Sequence, residues 1–250
     1  MKDFEKACIK FLEKYKNMYW FEGAILCGSY ATGNNNESSD LDIFIISKDD
    51  VDWRERGNTV VDEFMIEYFI NPIRQIKKEI LAEKESLSRH TSTMFDQGII
   101  LIDKHKTVKE LKKLAKQTLK TQPKIDEYKC LMNCYCVWDK FSDLESKFKN
   151  NEDIDLNFYS FLQTAIDTIS YNKNIGCFSV NKLEKNLTDI KFRKRYGIKK
   201  FFNEYEIDLL LKCLTEKTRE RKYINAKNMY EYINKEFNFD INKFSYRSSI

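Results

Sequence analysis

Two aspartates, Asp40 and Asp42, stand two residues apart at the start of the apolar run 41–46. Because side chains alternate between the two faces of a strand, both carboxylates project from one face, while Leu41 and Ile43 point into the core on the other. Neighbouring carboxylates repel each other unless a cation lies between them. Carboxylate oxygens are ligands that Mg²⁺ prefers, together with the phosphate oxygens of a substrate. The pair therefore predicts a magnesium site.

A third carboxylate from a neighbouring strand would complete a site for two metal ions. The segment VVDEFMIEYFI, residues 60–70, is rich in β-branched and aromatic residues and is predicted to form that strand. Glu67 is the best candidate for the third ligand, since its neighbours Ile66 and Tyr68 are apolar. Glu63 shares the same face of the predicted strand and is the alternative.

A Gly-Ser pair, Gly28-Ser29, follows the apolar run 23–27, which is predicted to be a buried strand. A glycine lets the backbone approach a phosphate, and backbone N–H groups and the Ser29 hydroxyl can hold its oxygens. Ser39, next to Asp40, is expected to support the site through a hydrogen bond. A glycine turn followed by paired strand aspartates is typical of phosphoryl-type transfer, in which positioning and charge neutralisation do most of the catalysis.

The first hundred residues predict alternating helices and strands that would position these groups. The predicted strands are 23–27, 41–46, 60–70 and 98–102. The predicted helices are 3–19 and one that starts at Asn71-Pro72 and runs to about Glu85, and a charged loop from Lys48 to about Arg56 separates the second and third strands. This order indicates a small α/β sheet domain.

After Thr107 the pattern becomes almost entirely helical, which predicts a helical bundle behind the sheet domain. The segment 120–124, around Pro123, is the best candidate for a hinge. The charge also changes along the chain. Residues 1–104 carry 14 Lys and Arg against 19 Asp and Glu, whereas residues 105–250 carry 29 against 20. Two modules with different functions are therefore expected.

The composition indicates a soluble chain, with 33% charged residues and a mean hydropathy of −0.60. No apolar run approaches the roughly 18 residues of a membrane span, and the N-terminus has no export-signal core, so a cytoplasmic protein without a membrane partner is expected. The seven cysteines should then be reduced thiols. Only two histidines are present, which argues against a Cys/His zinc site.

Gly28-Ser29, ten further residues and then Asp40-Leu41-Asp42-Ile43 resemble the signature of the DNA polymerase β-type nucleotidyltransferase superfamily. The longer string GSYATG…SSDLDIFII is similar to its small bacterial branch, which includes antibiotic nucleotidyltransferases and the minimal enzymes of toxin–antitoxin pairs. The match covers about residues 23–70, and the helical remainder is similar only in general plan. Membership implies two Mg²⁺ ions, a nucleoside triphosphate such as ATP as donor, and release of pyrophosphate.

The resemblance implies an α+β protein in which an N-terminal nucleotidyltransferase fold, a small mixed β-sheet with flanking helices, precedes an all-α bundle. Residues 1–104 would be the catalytic domain, and residues 105–250 would lie on the acceptor side. The implied catalytic metal ligands are Asp40, Asp42 and Glu67, and the implied nucleotide-binding residues are Gly28, Ser29, Ser39 and Lys182. Of these, Lys182 in SVNKLEKNL resembles the helical-domain lysine that related enzymes place near the nucleotide phosphates.

The resemblance does not name the acceptor. The leading hypothesis is transfer of a nucleoside monophosphate to a hydroxyl of a small molecule such as an antibiotic. An RNA or protein acceptor is the second, and the basic half of the chain favours it. A catalytically inactive nucleotide-binding module is the third, against which the intact Asp-x-Asp argues. The donor base, the general base and the oligomeric state stay open.

Overall fold

The computed structural model describes residues 2–176, 180–198 and 200–247. It divides into two compact units. The first comprises Met1–Pro123 with Lys194–Gly197, and the second comprises Lys124–Arg193 with Ile198–Ile250.

The first unit is built on a five-stranded mixed sheet. Its elements are α1 (Asp3–Leu12), β1 (Phe21–Cys27), α2 (Gly28–Thr32), β2 (Leu41–Ser47), β3 (Glu55–Val61), β4 (Phe64–Pro72), α3 (Ile73–Ala82), a 3₁₀ turn (Glu83–Glu85), α4 (His90–Gln97), β5 (Ile99–Asp103) and α5 (Thr107–Thr118). The strand order is β3-β4-β2-β1-β5, in which β2 and β4 run parallel and the other neighbours antiparallel. The predicted mixed sheet with flanking helices is confirmed.

Both faces of this sheet are covered, which explains why β2 reads as a continuous apolar run rather than an alternating one. Leu41 and Ile43 pack with α1 on one face. Phe44 and Ile46 pack on the other face with apolar side chains of α3, α4 and α5. Since Asp42 alternates with Leu41 and Ile43, its carboxylate belongs to the face that carries Phe44.

Residues 60–70 do not form one strand, and the prediction of a single strand there is wrong. They belong to the hairpin β3–β4, in which Val61 pairs with Phe64 across a two-residue turn. Asp62 and Glu63 occupy that turn with positive φ angles of 48° and 71°. Glu63 therefore does not share a strand face with Glu67, and the alternative ligand is excluded by its position.

Three other boundaries differ from the prediction. Helix α1 ends at Leu12 rather than near residue 19, and β3 begins at Glu55, inside the predicted charged loop. Helix α3 begins at Ile73, with Pro72 as its N-cap instead of its first helical residue. Helix α4 has no counterpart in the prediction.

The division between the units falls after Pro123, within the predicted hinge segment 120–124, rather than after residue 104. Helix α5 belongs to the first unit because it buries Val108, Leu111 and Ala115 in the core on the Phe44 face of the sheet. This apolar contact fixes α5 to the sheet although its sequence continues the helical pattern of the second half.

The regular secondary structure described in the second unit is all helical, as predicted. The elements after Pro123 are α6 (Glu127–Lys149), α7 (Asp155–Asn172), α8 (Val180–Thr188), α9 (Ile190–Arg195), α10 (Glu204–Thr215), α11 (Arg219–Glu236) and a 3₁₀ turn (Ile241–Lys243). The last two residues of α9 are assigned to the first unit, and the other elements belong to the second. Aromatic pairs tie α6 to α11: the rings of Phe141 and Tyr230 stack at 4.5 Å, and those of Phe148 and Tyr223 at 4.0 Å.

No described helix combines the length and the apolar character needed to cross a bilayer. The cysteines that the structure describes are free thiols, namely Cys8, Cys27, Cys130, Cys134, Cys136 and Cys213. Cys177 lies outside the described residues.

Candidate active site

The parallel pairing of β2 and β4 sets Asp42 directly beside Glu67. Register partners on parallel strands project from the same face of a sheet, so both carboxylates point to one side. Asp40 immediately precedes β2 and lies two residues before Asp42. One oxygen from each of the three side chains lies within 4.8 Å of the other two. The structure thus brings together the three carboxylates that the sequence selects.

This cluster has the dimensions and chemistry of a divalent-cation site. In an octahedral Mg²⁺ site with bonds of about 2.1 Å, ligand oxygens lie about 3 to 4.2 Å apart. The 4.8 Å within which the three carboxylate oxygens lie is of that order. All three residues are half-buried, and 21% of the Glu67 side chain is exposed, so an ion can enter from solvent. Hard carboxylate oxygens suit Mg²⁺, and a cation would relieve their mutual repulsion. The residues present fit the metal.

The Gly-Ser pair lies at the same end of the sheet. Strand β1 ends at Cys27, which pairs with Asp42 across the antiparallel ladder, and Gly28 opens α2 directly after it. The Ser29 carbonyl accepts a hydrogen bond from the backbone N–H of Asn34 at 2.9 Å, which closes the turn after α2. Gly28 and Ser29 are therefore adjacent to the carboxylate cluster.

Cys27 is the cysteine that directly precedes this turn, and its environment keeps the thiol inert. Burial raises the pKa of the Cys27 thiol, and the nearby Asp42 carboxylate raises it further. The thiol lies 3.5 Å from the carbonyl oxygen of Met94. Because the thiolate is the reactive form, Cys27 acts as a small packing residue.

Ser39 and Lys182 are the two predicted nucleotide-binding residues outside the Gly-Ser pair. The Ser39 hydroxyl accepts a hydrogen bond from the Asn36 N–H at 2.9 Å and lies 3.2 Å from Asn36 Oδ1. It thereby shapes the loop that leads into Asp40. Lys182 is part of α8 in the second unit. Nucleotide contacts from Ser39 and Lys182 stay predictions.

Arg56 is a residue of this site that the sequence analysis missed. It lies on β3, and its Nε donates a hydrogen bond to Oε1 of Glu67 at 3.0 Å. The segment ERGNTVV has neither a regular apolar alternation nor a glycine turn after it, so nothing local marks it as a strand beside Glu67. The contact between Arg56 and Glu67 can be recognised only when β3 and β4 are known to pair as a hairpin.

A mixed sheet that presents three carboxylates beside a Gly-Ser turn is the arrangement that the resemblance to nucleotidyltransferases implies. Residues 8–130 match the sequence family described as nucleotidyltransferase domain. This part of the chain belongs to the DNA polymerase β-type nucleotidyltransferase superfamily.

The fold is also similar to the 1.90 Å crystal structure of a nucleotidyltransferase-like protein from Exiguobacterium sibiricum 255-15. The similarity covers 93% of this chain and 75% of that one, with 14% sequence identity and a TM-score of 0.48. No curated protein matches the sequence.

Proposed function

We propose that this protein transfers a nucleoside monophosphate from a nucleoside triphosphate to a hydroxyl group of a small molecule. The observation that carries the proposal is the set of three carboxylates, Asp40, Asp42 and Glu67, gathered within 4.8 Å inside a nucleotidyltransferase domain. An inactive binding module has no need for three carboxylates that repel one another.

In the proposed reaction the acceptor oxygen attacks the α-phosphorus of the triphosphate. A new P–O bond forms, the bond from the α-phosphorus to the bridging oxygen breaks, and pyrophosphate leaves with the electron pair. The acceptor hydroxyl gives up its proton to a base.

The chain's own residues position these groups. Asp40, Asp42 and Glu67 would hold Mg²⁺, which neutralises phosphate charge and orients the acceptor oxygen. Gly28 and Ser29, adjacent to this cluster, would hold the β- and γ-phosphates through backbone N–H groups and a hydroxyl. Lys182 would contribute a further positive charge from the helical unit.

A macromolecular acceptor, RNA or protein, is the second candidate. The observation that favours it is the excess of Lys and Arg after residue 104, 29 against 20 acidic residues. A basic surface attracts polyanions, and such binding weakens steeply as salt rises. The first candidate needs no such surface, since a small hydroxyl compound can be held by a few polar side chains.

Transfer of label tests both candidates. The protein is incubated with each α-³²P nucleoside triphosphate, Mg²⁺, and either a panel of hydroxylated antibiotics and metabolites, total RNA, or protein extract. Label on a small molecule supports the first candidate. Label on RNA or protein supports the second, and absence of label in every arm contradicts both.

Matched variants test whether the carboxylates carry the reaction. Asp42→Asn and Glu67→Gln should each lower the transfer rate by about 100-fold or more, beyond the 10–100-fold typical of a residue that only supports a metal ligand. Glu63→Gln is the control, because Glu63 lies in the exposed turn four residues before Glu67. Transfer by Asp42→Asn at the wild-type rate would contradict the proposed site.

A further inference from the structure

Arg56 meets Glu67 diagonally across the β3–β4 hairpin. In the ladder Arg56 pairs with Phe69, and Asn58 is the residue directly opposite Glu67. The Arg56 Nε lies 3.0 Å from Oε1 of Glu67, and its Nη2 contacts the same oxygen. Both guanidinium donors thus engage one carboxylate oxygen, which leaves Oε2 outside this contact.

The guanidinium rests on an aromatic stack that fixes its place. Its central carbon lies 4.9 Å from the centre of the Phe69 ring. Phe69 stacks on Phe44 at 5.6 Å, and Phe44 packs edge-on against Phe95 in the core at 5.3 Å. A planar guanidinium can lie flat on a ring while it donates two hydrogen bonds in fixed directions, whereas an ammonium group is a compact charge without that planar geometry.

We propose that Arg56 is a positioning residue for the third carboxylate: by holding Oε1, it turns Oε2 of Glu67 toward Asp40 and Asp42 and strengthens binding of the divalent cation. This inference rests on the proposed function of the cluster as a metal site. Glu67 is a flexible side chain, and its ordering before the ion arrives removes an entropic cost from binding.

Competition between Arg56 and the cation for Glu67 would be the opposite effect. The exposure of the Arg56 side chain makes that competition weak. The Arg56 side chain is 69% exposed, so water and salt screen its repulsion of a bound cation. Its hydrogen bonds to Glu67 and its contact with Phe69 act at short range and persist in salt. Orientation of the carboxylate should therefore outweigh charge repulsion.

Mn²⁺ binding to the full chain tests the proposal directly. The free Mn²⁺ signal is followed by electron paramagnetic resonance for the wild type and for Arg56→Gln, Arg56→Lys and Glu67→Gln. Arg54→Gln is the matched control, because Arg54 is 61% exposed and lies near Glu79, 3.8 Å from its carboxylate, instead of Glu67. Circular dichroism verifies that each variant is folded.

We expect Arg56→Gln to weaken Mn²⁺ binding about tenfold, Arg56→Lys to weaken it less, and Arg54→Gln to leave it unchanged. The Mg²⁺ concentration for half-maximal transfer should rise in the same order, and excess Mg²⁺ should restore the rate. If Arg56→Gln binds Mn²⁺ as tightly as the wild type or more tightly, the positioning role is wrong while the metal site stands. If the wild type binds no Mn²⁺, the metal site itself is wrong, and this inference falls with it.

Discussion

The α-carbon of Gly28 lies against the carboxylate of Asp42. A Cβ atom added to Gly28 would stand 2.9 Å from the carboxyl carbon of Asp42, closer still to its Oδ2, and 3.3 Å from its Cβ. The φ angle of Gly28 is +67°, a conformation that residues with a Cβ rarely adopt. Glycine is therefore required here for backbone conformation and also for the space that the Asp42 carboxylate occupies.

Gly28→Ala should separate these two requirements when it is compared with Gly33→Ala. Gly33 has nearly the same φ angle, +69°, but a Cβ there would meet nothing within 4 Å. Both variants should lose about 1 kcal/mol of unfolding free energy to backbone strain. Only Gly28→Ala should also displace Asp42 and weaken Mn²⁺ binding by about tenfold or more. Urea denaturation and Mn²⁺ titration of both variants provide the two measurements, and equal Mn²⁺ affinities would show that the carboxylate does not need this space.

The sequence is most informative where the site is local. Gly28, Asp40 and Asp42 lie within fifteen residues of chain, and the short apolar runs 23–27 and 41–46 have the length of buried strands. Spacing alone therefore places both aspartates on one face beside the Gly-Ser turn. Glu67 is different, because its position beside Asp42 depends on the register of β4 against β2. The contact of Arg56 with Glu67 depends on the β3–β4 hairpin as well.

The β3–β4 hairpin is hidden in the sequence because its turn lacks the residues that mark one. Two-residue turns with positive φ usually carry Asn-Gly or Asp-Gly, whereas this turn is Asp62-Glu63. Without a glycine, the apolar segments on both sides read as one strand, and Glu63 seems to share a face with Glu67. The ion pair from Lys10 to Asp62, at 2.5 Å, helps to hold the turn from α1.

Glu63→Gly should stabilise the chain, since glycine adopts a φ angle of 71° without strain. The gain in unfolding free energy should be about 0.5–1 kcal/mol after the greater chain entropy of glycine in the unfolded state is counted. Glu37→Gly, in the exposed loop before Asp40, is the control and should be neutral or destabilising. Urea denaturation measures both, and a loss of stability in Glu63→Gly equal to that in Glu37→Gly would contradict the expectation.

Helix α4 escapes prediction for another reason: its hydrogen bonds are completed by residues from elsewhere in the chain. At its start, the Glu83 carboxylate accepts hydrogen bonds from the N–H groups of Thr91 and Ser92 at 2.8 and 2.7 Å. At its end, the Lys112 ammonium donates to main-chain carbonyls. The segment HTSTMFDQ has little helical periodicity of its own, so tertiary contacts decide its structure.

Lys112→Met should therefore destabilise the protein. The Lys112 ammonium donates to the carbonyls of Phe95, Asp96 and Gly98 at 2.8, 2.9 and 2.6 Å, and its burial lowers its pKa. Removal of the ammonium leaves these carbonyls without their donor, which should cost about 2–4 kcal/mol of unfolding free energy. Lys116→Met, one turn further along α5 and exposed, should change it by less than about 0.5 kcal/mol. Equal urea midpoints for the two variants would show that the bonds at the end of α4 carry no net stability.

In the second unit, Glu145 on α6 links its own helix to α11. The Tyr223 hydroxyl donates to Oε1 of Glu145 at 2.8 Å, and Lys149 Nζ lies 2.8 Å from Oε2. The hydrogen bond from Lys149, followed by that from Tyr223, lowers the pKa of the Glu145 carboxyl below its ordinary value of 4.5. Burial, together with the bond to Glu145, raises the pKa of Tyr223 to about 12. The hydrogen bond between Tyr223 and Glu145 therefore adds a polar contact to the aromatic packing between α6 and α11.

The hydrogen bonds to the Glu145 carboxylate should make the effect of Glu145→Gln on the unfolding free energy depend on pH. Because the pKa of Glu145 is lower in the folded state than in the unfolded state, its contribution to stability is present above the unfolded value and is lost as the pH falls through the folded value. At pH 7 Glu145→Gln should lower the unfolding free energy by about 1 kcal/mol. At pH 3 the difference from wild type should shrink, since this pH lies below the ordinary value of 4.5 and the carboxyl binds a proton more readily in the unfolded state than in the folded state. Urea denaturation at both pH values measures the difference, and the exposed Asp143→Asn is the control. A loss of unfolding free energy of the same size at pH 3 would assign the effect to the shape of the Glu145 side chain rather than to its charge.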